Sequence, residues 1–222
     1  MKKIIFLLLV INFEPVFSQN KADVGISAGV SYYLGDLNPA SMFHSPKISA
    51  GVSYRYNLNP RYVLKAELNY VAVSGNGTDF NQPYPNNPYP SFNTELYDVS
   101  MQFEFNFLPL KFNERRVSFS PFISTGLATA MILNSANKKS LDFVLPGTLG
   151  IRLTIGQKWS AGVQWNFRKM FNDTHLDNVN NPISQSLQSP LFNNDWYFFS
   201  GLFLTYKIFD FGIPCPAYES KF

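Results

Sequence analysis

The groups best suited to chemistry in this sequence are His44, His175, Cys215 and a set of charged residues recurring at alternate positions. Hydrolysis or acyl transfer needs a nucleophile and a base within hydrogen-bond reach, commonly Ser or Asp with His. Both histidines fall in long polar stretches, and neither sits in a nucleophile motif. Lipase, protease and acyl-modifying chemistries therefore have no visible constellation, and no enzymatic function is expected. The segment Asn172-Asp173-Thr174-His175-Leu176-Asp177-Asn178 offers several oxygen ligands of the kind Ca²⁺ takes. It lacks the Gly and bidentate Glu of an EF-hand, and Asn/Asp-rich stretches are ordinary loop composition. No metal or cofactor is expected there.

Cys215 is the single cysteine, between Pro214 and Pro216 and close to Tyr218. Flanking prolines keep that segment extended and outside a sheet. An unpaired cysteine in an exported protein suggests an intermolecular bond or a free thiol, and a neutral leftover is the alternative. The charged set is Arg55, Lys65, Glu67, Asp98, Glu104, Arg152 and Arg168. These seven alternate with apolar residues, so they share one face of their strands and are expected to pair with one another.

The elements that must position them are eight stretches of alternating character between about residues 23 and 208. Expected strands run 23–34, 47–57, 62–74, 95–108, 117–133, 143–155, 159–171 and 195–208. The fourth is the plainest: Tyr97, Val99, Met101, Phe103, Phe105 and Phe107 against Asp98, Ser100, Gln102, Glu104 and Asn106. Burying that second row in an apolar core would be costly, whereas a polar lumen accepts it. The fold expected is all-β, an eight-stranded antiparallel outer-membrane barrel with its greasy face toward lipid and its lumen filled by side chains. On the fifth strand a Gly-, Ala- and Thr-rich face is expected inward, and Pro121 and Pro146 are expected near strand starts or bulges. Connections 35–46, 75–94, 134–142 and 172–194 look long, and 58–61, 109–116 and 156–158 short. The stretch Pro83 to Pro90 is rich in Tyr and Pro and reads either as a contact surface or as a stiff connection. Short turns belong in the periplasm and long loops outside, which places both ends of the mature chain in the periplasm.

Export is expected independently. Lys2 and Lys3 precede the apolar run Ile4 to Ile11, and Val16 and Ser18 are small residues at −3 and −1. This reads as a signal peptide over 1–18, followed by a barrel over 19–208 and a periplasmic tail over 209–222. No later run approaches the roughly 18 apolar residues of a membrane-spanning helix. Only 15% of residues are charged, against about a quarter in typical soluble domains, while 22 Phe and 12 Tyr are present. Without residues 1–18 the chain keeps 16 basic and 14 acidic residues, a balance that gives no reason to expect nucleic acid.

Several motifs carry a resemblance. Ser31-Tyr32-Tyr33-Leu34-Gly35-Asp36-Leu37-Asn38 closes the first strand, Arg168 precedes Asp173-x-x-Leu176-Asp177-x-Val179, and Cys215-Pro216-x-Tyr218 lies near the end. Together they resemble the PorG-like outer-membrane barrels of the Bacteroidetes type IX secretion system. His175 and Asn178 depart from that pattern, which has Tyr and Asp there. The resemblance implies a non-enzymatic part of a protein-export machine that also supports gliding. Its implied partner is a periplasmic ring of a lipoprotein and a second subunit (PorK and PorN, or GldK and GldN in gliding species). The alternative is a small surface barrel acting as an adhesin or receptor through its longer loops.

Overall fold

The computed structural model describes residues 22–35, 37–38, 41–79, 90–109, 118–134, 139–156, 158–171, 176 and 195–208. Eight strands follow in chain order: β1 (Ala22–Leu34), β2 (Lys47–Asn57), β3 (Tyr62–Asn76), β4 (Ser91–Asn106), β5 (Ser118–Asn134), β6 (Lys139–Ile155), β7 (Trp159–Met170) and β8 (Trp196–Lys207). Each pairs antiparallel with its chain neighbour, and β8 returns to β1, so the sheet closes on itself. Closure leaves no open edge, which is what a β-structure in lipid requires.

The seam between β1 and β8 runs without a break from Asp23↔Lys207 to Leu34↔Trp196. At its middle Gly29 faces Gly201. A Cβ on Gly201 would run into the Ala28 carbonyl, and one on Gly29 into the Ser200 carbonyl. The two strands can meet this closely only because neither residue has a side chain.

Alternation decides which face is which. On β4, Tyr97, Val99, Met101 and Phe103 are exposed, while Asp98, Ser100, Gln102, Glu104 and Asn106 are buried. The outer surface carries an aliphatic band that includes Ile26, Val52, Leu68, Val99, Leu127, Ile151 and Leu202. Aromatic contacts border it at both rims. Tyr62 stacks on Phe103 at 5.5 Å and Trp159 meets Tyr206 at 4.8 Å toward one end. Toward the other, Phe198 stacks with Tyr32, Trp165 and Trp196 at 5.0, 5.9 and 6.2 Å. An apolar belt between two aromatic girdles is the outer surface of a membrane-spanning barrel.

Three details differ from the sequence expectation. Thr125 and Thr129 point outward on β5, and the inward row is Ser120, Phe122, Ser124, Gly126, Ala128, Ala130 and Ile132. The Thr125 hydroxyl is accommodated there by donating to the Pro146 carbonyl at 3.0 Å. Pro146 itself lies in mid-strand, not at a start or bulge. The β5–β6 ladder lapses between Thr125↔Gly147 and Ala128↔Val144 and resumes in unchanged register. The lapse falls opposite the proline, which has no N–H to give. Finally, connection lengths do not alternate strictly. β6 begins at Lys139, which reduces the β5–β6 connection to 135–138, while the β4–β5 connection spans 107–117 at the opposite rim.

Candidate functional site

The lumen is built from the inward-facing alternate residues, odd-numbered on β1, β2, β3 and β8 and even-numbered on β4, β5, β6 and β7, and it is packed. Asp98 on β4 accepts from Arg168 Nε of β7 at 3.2 Å, from the Tyr197 hydroxyl of β8 at 2.7 Å and from Asn69 of β3 at 3.4 Å. Glu67 on β3 is reached by Lys65 Nζ at 3.1 Å, by Gln102 Nε2 at 3.0 Å and by Arg168 Nη2 at 3.7 Å. Nearer the short-turn rim, Glu104 lies 2.6 Å from Arg152 Nη2 and 3.6 Å from Arg55 Nε. All seven charges are buried, and apart from Lys65–Glu67 within β3 their ion pairs cross between strands that are not adjacent in the sheet.

Four cations against three carboxylates leave this set one negative charge short. Asp23 on β1, buried and held by Asn57 Nδ2 at 2.9 Å, supplies the fourth carboxylate near Arg152. Three phenylalanines complete the filling. Arg55 lies 4.7 Å from the Phe203 ring centre, Arg168 4.9 Å from Phe199, and Arg152 5.5 Å from Phe122. A ring beneath a desolvated guanidinium offers its negative face and stabilises the charge. Gln102 joins the layers: its amide donates to Glu67, and its carbonyl accepts from Ser124 of β5 at 2.8 Å and Thr148 of β6 at 3.0 Å.

Above the charges an apolar plug closes the loop-side mouth. It comprises Tyr33, Leu37, Val71, Val73, Phe92, Leu96, Ala128, Ala130, Ile132, Val144, Met170, Leu176, Tyr197 and Phe199. Two of these come from connections, not strands. Leu37 follows β1, and Leu176 belongs to the connection between β7 and β8; both are fully buried. Leu176 is fixed by its carbonyl, which accepts from Thr94 Oγ1 at 2.8 Å. Asn38 anchors the first connection by donating to the Tyr33 and Ser41 carbonyls, each at 2.8 Å. One interior void, between Ser27, Ser49, Asn69, Gln164 and Phe199, measures about 10 Å³. That is near the minimum for a single water.

Asp98, Glu67 and Glu104 are each committed to cations or neutral donors, so these charges hold the lumen together. His44 Nε2 lies 2.8 Å from Asp79 Oδ2, tying the β1–β2 connection to the end of β3. Among the described residues no group of three or more His, Cys, Asp or Glu is placed to hold a metal ion. Asp36, Asp173, His175, Asp177, Pro214, Cys215, Pro216 and Tyr218 lie outside the described residues, as do residues 83–89, the leader and the tail. Sequence reasoning put Gln102 on the inward row without giving it a role, and passed over Asp23, Tyr197 and the three interior phenylalanines. Phe199 and Phe203 share the inward parity of Thr205, which could have marked them.

A closed eight-stranded antiparallel sheet with an apolar exterior and a polar, filled interior defines an outer-membrane β-barrel. Within that class, the chain belongs to the family described as "Domain of unknown function (DUF6089)", which matches residues 1–218. Neisserial surface protein A has a similar fold, with 11% identity over 82% of this chain and 95% of its own, at a TM-score of 0.51. Ail, the attachment invasion locus protein of Yersinia pestis, is 9% identical over 86% of this chain and 99% of its own, at 0.46. OprG from Pseudomonas aeruginosa is 10% identical over 86% and 98%, at 0.44. No curated protein matches the sequence.

Proposed function

We propose that this barrel is a non-enzymatic outer-membrane anchor of the type IX secretion and gliding machinery. In this reading it holds a periplasmic ring, built of a lipoprotein and its partner subunit, through its short-turn rim and the Cys215-bearing segment 209–222. The observation that carries the reading is the sealed lumen. With charges locked across its middle and Leu37 and Leu176 corking one mouth, the cylinder offers nothing for cargo to pass through. What remains for it to offer is a rigid body in the membrane with a rim on each side. The motifs around Asp36, Asp173, Leu176, Asp177 and Cys215 support the specific machine, and the greater length of most connections at the Leu37 end supports a periplasmic position for both termini.

The test is removal of residues 209–222, alongside Cys215→Ser. The last described backbone bond of the barrel, Ile208 N–H to the Ala22 carbonyl at 2.9 Å, precedes the cut, so closure is kept. Heat-modifiable gel mobility checks that the shortened barrel is folded. Loss of secretion together with loss of ring co-purification is the expected result. Normal secretion and an intact ring association would overturn the anchor and favour the surface-loop reading. A Cys215-dependent adduct on non-reducing gels distinguishes a covalent tether from docking alone.

A further inference from the structure

The lipid-facing wall is not evenly filled. A concavity of about 700 Å³ opens outward across β8, β1, β2 and β3 on the half nearer the short-turn rim. Its origin is a row of mismatched neighbours. Cross-strand register sets Trp159 beside Tyr206, Tyr206 beside Val24, Val24 beside Tyr54, and Tyr54 beside Ala66. Val24 is thus a low floor between two tyrosines, and Ala66 a second low point beyond Tyr54. Ile26, Val52, Leu68 and Leu204 continue the floor toward the membrane centre. At the rim end, the exposed Lys158 immediately precedes Trp159, and Arg61 stands exposed on the β2–β3 turn. Among the described residues of this rim, the exposed charges are these two cations, since Asp23 and Lys207 face each other across the β1–β8 seam on the inward parity shared with Thr205.

We infer that this groove is a binding site for an acyl chain of an anionic phospholipid from the leaflet at the short-turn rim. The apolar channel takes the chain, the Trp159–Tyr206 pair sits at the depth where amphipathic rings favour the interface, and Lys158 and Arg61 supply positive charge for the headgroup phosphate. The inference rests on the membrane reading of the barrel but not on its secretion role or on which way it points.

Trp159 reports on its own site. A Trp165→Phe/Trp196→Phe version of the full mature chain, placed in symmetric phosphatidylcholine vesicles, leaves it as the single indole. Flotation with the vesicles and heat-modifiable mobility first establish insertion, and failure there would count against the membrane reading itself. Phosphatidylglycerol brominated on its acyl chain is then compared with brominated phosphatidylcholine as a quencher. The expected result is an apparent affinity for the anionic lipid about fivefold higher, the size of one lysine's attraction near a charged headgroup. Lys158→Gln should cut that preference, and Val24→Phe, which fills the notch, should abolish it. Val163→Phe, on the lipid face outside the groove, should leave it intact. Equal quenching by both lipids would overturn the site. So would no quenching by either, which would mean that a second copy or a segment of the chain covers the groove.

Discussion

At the scale of single residues, the lumen behaves as a set of mutually dependent charges. Glu104 serves both Arg152 and Arg55. Removing it leaves two guanidiniums in a closed space, so Glu104→Ala should destabilise the barrel by about 3–5 kcal/mol, the usual cost of breaking a buried pair. Urea unfolding in vesicles, followed by loss of heat-modifiable mobility, measures this. Phe203→Leu removes the ring beneath Arg55 and the more distant face toward Arg152 while keeping much of the volume. It should cost less, about 1–2 kcal/mol, by the same assay. The alternation of Lys65 with Ala66 and Glu67 with Leu68 put these charges on one face in the sequence. Apart from Lys65–Glu67 on one strand, which acid meets which cation was not readable, because the arginine contacts cross a lumen between strands that are not neighbours. Asp23 escaped notice because it opens β1, where a polar residue looks like a loop remnant.

Elements add constraints that no single side chain shows. Strand spans were largely legible: β2 runs over the residues its alternation marks, and β4 differs only at its ends. β6 was read four residues too short because Lys139 to Asp142 is polar in composition, although Leu141 and Phe143 already continue the outward row. The inward face of β5 was misjudged because threonine suits either environment when a carbonyl is near, as Pro146 is to Thr125. The part played by Leu176 could not be read at all, since a leucine in an Asn-rich loop gives no periodicity to follow. Its burial predicts that Leu176→Asp expels the β7–β8 connection from the mouth. Protease added to the loop side should then cleave that connection much faster than in the parent, with the strands still protected. An unchanged cleavage rate would show that the plug does not depend on it. At the seam, Gly201→Val sets a branched side chain against the Ala28 carbonyl and should prevent closure, leaving the heat-denatured mobility in unheated samples.

For the whole molecule, one arrangement underlies every other statement: apolar residues of each strand face acyl chains, and the polar residues are enclosed by a continuous sheet. The anchor role, the phospholipid groove and the cost of losing Glu104 all depend on it. Spin labels placed one at a time from residue 97 to residue 104 of β4, with Cys215 replaced by serine, test it directly in reconstituted vesicles. Collision with oxygen, which concentrates in lipid, should peak at 97, 99, 101 and 103 and fall at 98, 100, 102 and 104. Labels at the second set should be strongly immobilised and shielded from a water-soluble relaxant as well. The opposite phase, with the even positions open to oxygen, or an absence of any period of two, would contradict the inside-out barrel.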